Sequence, residues 1–246
     1  MDEIRNEYEE RSRMSNELHL IIATTLDCQF RCFYCYESHP EVYMTEDVKN
    51  AIIGNVKDYA ASGKDISVVW YGGEPMLDFE SIRMFSKRFI DICNSCGVSY
   101  RASMISNGYS FSPESIALLD ELRIESLQIT LDGMKDAHEQ RRPLRNEESS
   151  FDRIVQNMKN IKMNTNVDVH LRINVDKSNI ESAYELVQYC SSAGLDNIDI
   201  NLGMMKAFGC DHSCGTATAN LFTMKEFAEE FLNLETILKS LVLKKW

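Results

Sequence analysis

The stretch Leu18-His19-Leu20-Ile21-Ile22-Ala23-Thr24-Thr25-Leu26-Asp27-Cys28-Gln29-Phe30-Arg31-Cys32-Phe33-Tyr34-Cys35 decides how the rest of the chain is read. Leu18 to Thr25 is a short, mostly apolar run, the pattern of a buried β-strand. Three cysteines follow at once as a C-x3-C-x2-C run. Iron–sulfur clusters are held by cysteine thiolates, four of them in electron-transfer proteins. Three thiolates on one loop can hold three irons of a cubane and leave the fourth open to a chelating cofactor. The competing reading is a zinc knuckle, because zinc takes four nitrogen or sulfur ligands and His39 is available as the fourth.

Outward from this strand a βα rhythm continues. A helix is predicted over 45–62, a strand over 66–71, and a helix over 79–93 with Phe79, Ile82, Phe85, Phe89 and Ile92 at three- and four-residue steps. A third strand falls at 99–106, and Ser112-Pro113 supplies the N-cap and first position of a third helix. The fourth strand falls at 127–131, and the helix after it carries Ile154, Met158 and Ile161 on one face. A fifth strand at 167–175 leads to a helix marked by Ile180, Tyr184 and Val187. A sixth at 197–202 precedes a last helix from about Thr223, with Met224, Phe227, Ala228 and Phe231.

Consecutive βα units imply an α/β domain with a parallel sheet. Right-handed crossovers leave either an open doubly wound sheet or a curved partial barrel, and periodicity does not choose between them. Residues 1–17 are charged and lack an apolar period, so they are read as an N-terminal arm. Residues 18–222 form the α/β domain and 223–246 a C-terminal helix.

The length of 246 residues suits one domain, since a single α/β barrel takes about 250. A net charge of −12 argues against nucleic-acid binding, which needs clustered Lys and Arg. No apolar run approaches the roughly 18–20 residues of a membrane span. The acidic, polar start Met1-Asp2-Glu3-Ile4-Arg5 is not a signal peptide. Eight cysteines without an export signal point to reduced thiols, metal binding and the cytoplasm.

Further motifs fall at strand ends. Strand two leads into Trp70-Tyr71-Gly72-Gly73-Glu74-Pro75, where glycines let backbone approach a ligand and Glu74 can pair with an ammonium group. Strand three ends in Ser106-Asn107-Gly108 and strand four in Thr130-Leu131-Asp132-Gly133, while Arg172 on strand five can meet a carboxylate. All lie at or near the carboxyl ends of successive strands, where α/β folds place their sites.

Taken with Tyr36, the cysteine run resembles the C-x3-C-x-Φ-C signature of the radical S-adenosylmethionine (SAM) superfamily, with Tyr34 at the Φ position. Gly72-Gly73-Glu74-Pro75 is similar to the family's GGEP motif. Ser106-Asn107-Gly108 is similar to its T-N-G segment, with Ser for Thr. Thr130-Leu131-Asp132-Gly133 is similar to the S-L-D-G of its peptide-modifying members. The resemblance runs from Leu18 to Phe231. It is closest to the SPASM-type peptide and protein maturases, the branch of anaerobic sulfatase maturases and thioether-forming enzymes. The segments Met134 to His138, Arg142-Pro143 and Ser150 to Ile154 are typical of that branch.

The resemblance implies a partial (β/α)6 TIM-like barrel, with a [4Fe–4S] cluster on Cys28, Cys32 and Cys35 and SAM on its open iron. Gly72, Gly73 and Glu74 are implied for the SAM amino group. Thr130, Arg172 and Asn107 are implied for its carboxylate or ribose side. Tyr34, with Phe33, is implied to shield the cluster and help place adenine. One electron passed to SAM yields methionine and a 5′-deoxyadenosyl radical that takes a hydrogen atom from substrate. The implied partners are a peptide or protein substrate and a reductant such as flavodoxin or ferredoxin, with no nucleic acid and no membrane. The alternatives are a noncatalytic metal-stabilised peptide-binding fragment and a radical SAM enzyme acting on a small molecule.

Other special residues have plainer readings. Cys93 and Cys96 end helix two as buried or capping residues, and Cys190 falls on an apolar helix face. Cys210 and Cys214, with His212 between them, share a loop that could hold a metal. They could equally be substrate-loop residues, residues of no function, or remnants of the SPASM or twitch extension of maturase relatives, a region that the chain is expected to lack beyond its last helix. His138 reads as structural, and Arg141-Arg142 and Glu147-Glu148 as solvated loop charges, with Arg142 in reach of the site mouth.

Overall fold

Strand order settles what periodicity leaves open. The computed structural model describes residues 16–196, 198–206 and 220–243. Its strands are β1 (Glu17–Ala23), β2 (Asp65–Tyr71), β3 (Tyr100–Ser106), β4 (Ile124–Thr130), β5 (Asp168–Val175) and β6 (Asp199–Met204). They pair in the order β1-β2-β3-β4-β5-β6, and every pair is parallel. A doubly wound sheet reverses its order at a switch point, so that helices cover both faces. Here the order never reverses, and right-handed crossovers then put every helix on one face. The sheet curls round its other face into a partial (β/α)6 barrel, with β1 and β6 left as unpaired edges among the described residues.

The helices are α1 (Glu46–Ala61), α2 (Phe79–Cys96), α3 (Pro113–Leu118), α4 (Lys135–Arg141), α5 (Phe151–Asn164), α6 (Ile180–Ser192) and α7 (Met224–Leu243). Local chemistry sets their ends. Thr45 caps α1 by accepting from the Val48 amide. Ser112 and Ser115 form a reciprocal capping box with Pro113 at the first position of α3. Gly97, at φ +70°, ends α2 in the left-handed region. Thr223 and Glu226 cap α7 reciprocally through their side chains and amides.

One set of alternate strand residues packs outward under the helices. Trp70, Met104, Leu127, Ile129, Leu171 and Ile173 are fully buried, and they join one core with Phe85, Phe89, Ile154 and Met158. The opposite set, two residues apart on each strand, faces the lumen and includes Gln128, Thr130, Arg172 and Asn174.

The predicted elements are present, with shifted ends. β4 begins at Ile124 rather than 127, α2 continues to Cys96, and β6 runs 199–204 rather than 197–202. The short α4 was not predicted, because seven residues carry too little apolar period. Glu17, assigned to the arm, already belongs to β1; residues 1–15 of the arm lie outside the described residues. So do Cys210, His212 and Cys214. Among the described residues no helix is long and apolar enough to cross a membrane.

Candidate functional site

The cysteine loop leaves β1 and is clamped on two sides. On one side is the turn after β2: the Gly73 amide donates to the Thr25 carbonyl at 3.2 Å and the Glu74 amide to the Asp27 carbonyl at 2.8 Å. A Cβ on Gly73 would overlap the carbonyls of Leu26 and Asp27, and one on Gly72, at φ +120°, would meet the Thr25 carbonyl. The glycines are therefore needed where two stretches of protein backbone meet. On the other side is the segment after α4. The Arg31 amide donates to Pro143 O (2.8 Å) and the Arg145 amide to Gln29 O (2.7 Å), and Phe30 and Leu144 form a β-bridge.

Glu74 sits differently from the sequence expectation. It is fully buried. Its Oε1 accepts from the Met76 amide (2.9 Å) and the Ser106 hydroxyl (2.8 Å), and its Oε2 accepts from the Asn107 amide (2.7 Å). The carboxylate ties the β2 turn to the end of β3. Burial pushes its pKa up, against the three donors that pull it down.

Nine of the ten residues singled out from sequence converge on one cavity of about 610 Å³ at the carboxyl ends of the strands. Cys28, Cys32, Cys35, Tyr34, Gly72, Gly73, Asn107, Thr130 and Arg172 all line it, and Glu74 is buried outside the lining. Cys28 Sγ accepts from the Phe30 amide at 3.4 Å and lies 3.9 Å from Asn107 Nδ2. Burial pushes the Cys28 thiol up to about 12 and Cys32 to about 11, and raises Cys35 as well. Bound metal would hold such thiols as thiolates.

Arg172 is held flat. Its Nε donates to Asn174 Oδ1 at 3.1 Å, and its guanidinium lies where a Cβ of Gly203 on β6 would stand. Its terminal nitrogens have no hydrogen-bond partner among the described residues, which leaves them free to bind a carboxylate.

Several residues were misread or missed. Arg141 and Arg142 are not solvated loop charges: they are 5% and 7% exposed. Arg141 pairs with Asp176 at 3.1 Å and stacks over the Phe33 ring at 4.8 Å, so Phe33 is packed behind the cavity rather than lining it. Arg142 lines the cavity, donates to the Tyr34 hydroxyl at 2.6 Å and lies 5.6 Å over Phe30. Tyr34 in turn donates to Asp132 Oδ2 and accepts from Asn174 Nδ2. Asn174 and Gln128 were legible: each is two positions from a singled-out residue on the same strand and so shares its face. Arg142, expected within reach of the site mouth, does line the cavity, but nothing local marked it as buried.

His138 is structural as expected. It is fully buried, with Nδ1 facing the Asp132 amide at 3.4 Å and Nε2 3.1 Å from Ser150 Oγ, and burial depresses its pKa strongly. Cys93 and Cys190 are core residues, while Cys96 is exposed on the last turn of α2. His39 lines the cavity too. Among the described residues no three His, Cys, Asp or Glu side chains are grouped around a single point.

A profile of the Radical SAM superfamily matches residues 22–190, from β1 to α6. The chain belongs to the radical SAM superfamily. Its cofactors are accordingly a [4Fe–4S] cluster and S-adenosylmethionine. Among individual relatives, the sporulation killing factor maturation protein SkfB of Bacillus subtilis is 29% identical over 185 residues, which are 73% of this chain and 42% of SkfB. The fold matches the structure of anSMEcpe with bound AdoMet and the Cp18Cys peptide. The TM-score is 0.70 at 16% identity, over 89% of this chain and 59% of that one. It also matches Streptococcus suis SuiB bound to S-adenosylmethionine, with TM-score 0.61 at 14% identity over 93% of this chain and 48% of SuiB. The chain thus spans about half the length of these proteins.

The residues present suit these cofactors. Three cysteines on one loop that line one cavity suit a cubane, in which each thiolate binds a different iron. Arg172, which lines the same cavity with terminal nitrogens unpartnered among the described residues, suits a carboxylate-bearing ligand.

Proposed function

We propose that this chain is the catalytic barrel of a radical SAM enzyme that modifies a peptide or protein side chain, for instance by thioether formation or oxidation. The observation that carries the reading is the convergence of Cys28, Cys32, Cys35, Asn107, Thr130 and Arg172 on one cavity. When bound, the cluster and SAM would supply one-electron chemistry that activates a substrate C–H bond. The chain's own residues supply the frame. Cys28, Cys32 and Cys35 hold iron. Asn107 and the Phe30 amide are set to donate to the Cys28 sulfur, a contact that tunes a cluster. The Gly72-Gly73 backbone offers carbonyls to the SAM amino group. Thr130 and Arg172, adjacent in register on β4 and β5, hold the SAM carboxylate or ribose.

The peptide assignment is supported by the SkfB likeness and by the peptide in the anSMEcpe structure. Residues 18–222 are proposed as the barrel and the helix from Thr223 as the start of a C-terminal segment. A flavodoxin or ferredoxin is proposed as reductant. All six described cysteines are free thiols, in keeping with the cytoplasm. Anaerobic reconstitution tests the reading: iron and sulfide should enter, and dithionite with SAM should release 5′-deoxyadenosine. If Cys32→Ala retains iron and SAM cleavage, the proposal is wrong. Deuterium passing from a labelled precursor peptide into 5′-deoxyadenosine would identify the substrate.

A further inference from the structure

Arg142 is an electrostatic anomaly. A buried charge is costly unless it is paired and hydrogen-bonded, and this guanidinium is 7% exposed. Its Nε has no partner, and its side chain donates only to the neutral Tyr34 hydroxyl at 2.6 Å. No carboxylate pairs with it directly among the described residues. The nearest candidate, Asp132, is reached only through that phenol, and its two oxygens accept from Tyr34 and from the Asn174 amide (2.9 Å). Its neighbour Arg141, equally buried, has the Asp176 carboxylate at 3.1 Å. Arg142 lines the same cavity as Cys28, Cys32 and Cys35.

We infer that Arg142 is the direct counter-ion of the cluster, held in place by Tyr34 and Asp132, and that it sets how easily the cluster takes an electron. The inference rests on the three cysteines holding the cluster. A cubane on three thiolates carries one negative charge when oxidised and two after accepting one electron. A fixed cation beside it stabilises the reduced state more, so it raises the potential; cluster potentials respond to nearby charge in this way. Tyr34 lies between Cys32 and Cys35 on the loop and bonds Arg142, which fixes the distance between cation and cluster. Arg142 is a positioning residue in this role.

The test is a potentiometric titration of the reconstituted protein, followed by electron paramagnetic resonance of the reduced cluster. Arg142→Met should lower the potential, so that at the wild-type midpoint the ratio of reduced to oxidised cluster falls about tenfold, equivalent to about 59 mV for one electron. Arg142→Lys should restore most of it. Asp132→Asn keeps the shape and removes the competing negative charge, so the potential should rise. Opposite signs separate a charge effect from a structural one. An unchanged potential in Arg142→Met, or shifts of both variants in one direction, would overturn the inference. If Arg142→Met does not fold, Arg142→Gln, which keeps a donor toward Tyr34 without the charge, takes its place, and an unchanged or raised potential there refutes the inference. Wild-type protein that takes up no iron would instead sink the proposed function itself.

Discussion

The two halves of the barrel mouth use their polar residues in opposite ways. At the ends of β1, β2 and β3 the motif residues face one another: Gly72 and Gly73 admit the carbonyls of the cysteine loop, and Glu74 bonds Met76, Ser106 and Asn107. At the ends of β4, β5 and β6 they face the cavity: Thr130 and Arg172 line it, with Asn174 and Gly203 holding the guanidinium. The first half fixes the cysteines, and the second presents side chains to a ligand. A motif with ligand-binding character can thus be architectural in part, because a cluster needs its loop held before anything can bind it.

Gly73→Ala attacks the first half most severely. Its Cβ would overlap two loop carbonyls, backbone atoms that cannot swing aside. The expected cost is about 3 kcal/mol of overpacking, read by denaturant unfolding, together with loss of iron uptake on reconstitution. Retained stability and iron would dissolve the contrast between the halves.

A paired measurement sharpens it. Glu74→Gln turns an amide NH2 on a buried backbone donor and should cost about 1–3 kcal/mol of stability, with little change in SAM affinity once folded. Arg172→Met should do the reverse, weakening SAM binding roughly tenfold or more through a lost charge-assisted contact of about 1.5–3 kcal/mol, at near-normal stability. Gly203→Ala should resemble Arg172→Met, since its Cβ occupies the space of the guanidinium. Isothermal titration with SAM beside thermal unfolding would distinguish the two patterns.

His138 gives the second half a pH signature. Its folded pKa is depressed by burial, so the unfolded chain binds the proton more readily. The stability it permits is full above the unfolded value of about 6.5 and declines as pH falls below it. The midpoint of thermal unfolding should drop below that pH in wild type and do so less in His138→Gln.

The smallest effect lies furthest from the mouth. Glu226, held at about 2 chiefly by Lys177 and then by the Thr223 cap, ties α7 to the loop after β5. A carboxylate with a lowered folded pKa stabilises above its unfolded value, and the contribution is lost as pH falls towards 2. Amide exchange along α7 should quicken slightly over that descent, and Glu226→Gln should abolish the change.

Much of this was readable in one dimension. The outward-facing residues of each strand are apolar at period two, and α2 and α5 repeat their apolar faces every three to four residues, so the elements announced themselves. The cysteine run and the strand-end motifs named most of the cavity lining, since covalent spacing alone places three thiols on one loop. The short α4 escaped because seven residues show no clear period. Arg142 was read as within reach of the site mouth, but its burial escaped because adjacent arginines in a polar segment look solvated, and only the approach of that segment to the cysteine loop, more than a hundred residues earlier, buries them. Glu74 was assigned to a ligand because sequence shows a residue's chemistry but not its partner.

The sequence by itself determined the βα order, the three-cysteine loop and the family, because these depend on local spacing and on which residue types occur. Tertiary structure alone decided that the sheet curls with its helices on one face, that Glu74 clasps two strand ends while Arg172 stays open, and that a buried Arg142 is left without a direct carboxylate. Those facts depend on distances between segments far apart in the chain. Such distances are set by the pairing of β1 through β6 and the packing of the loops above them, and no single stretch of sequence carries them.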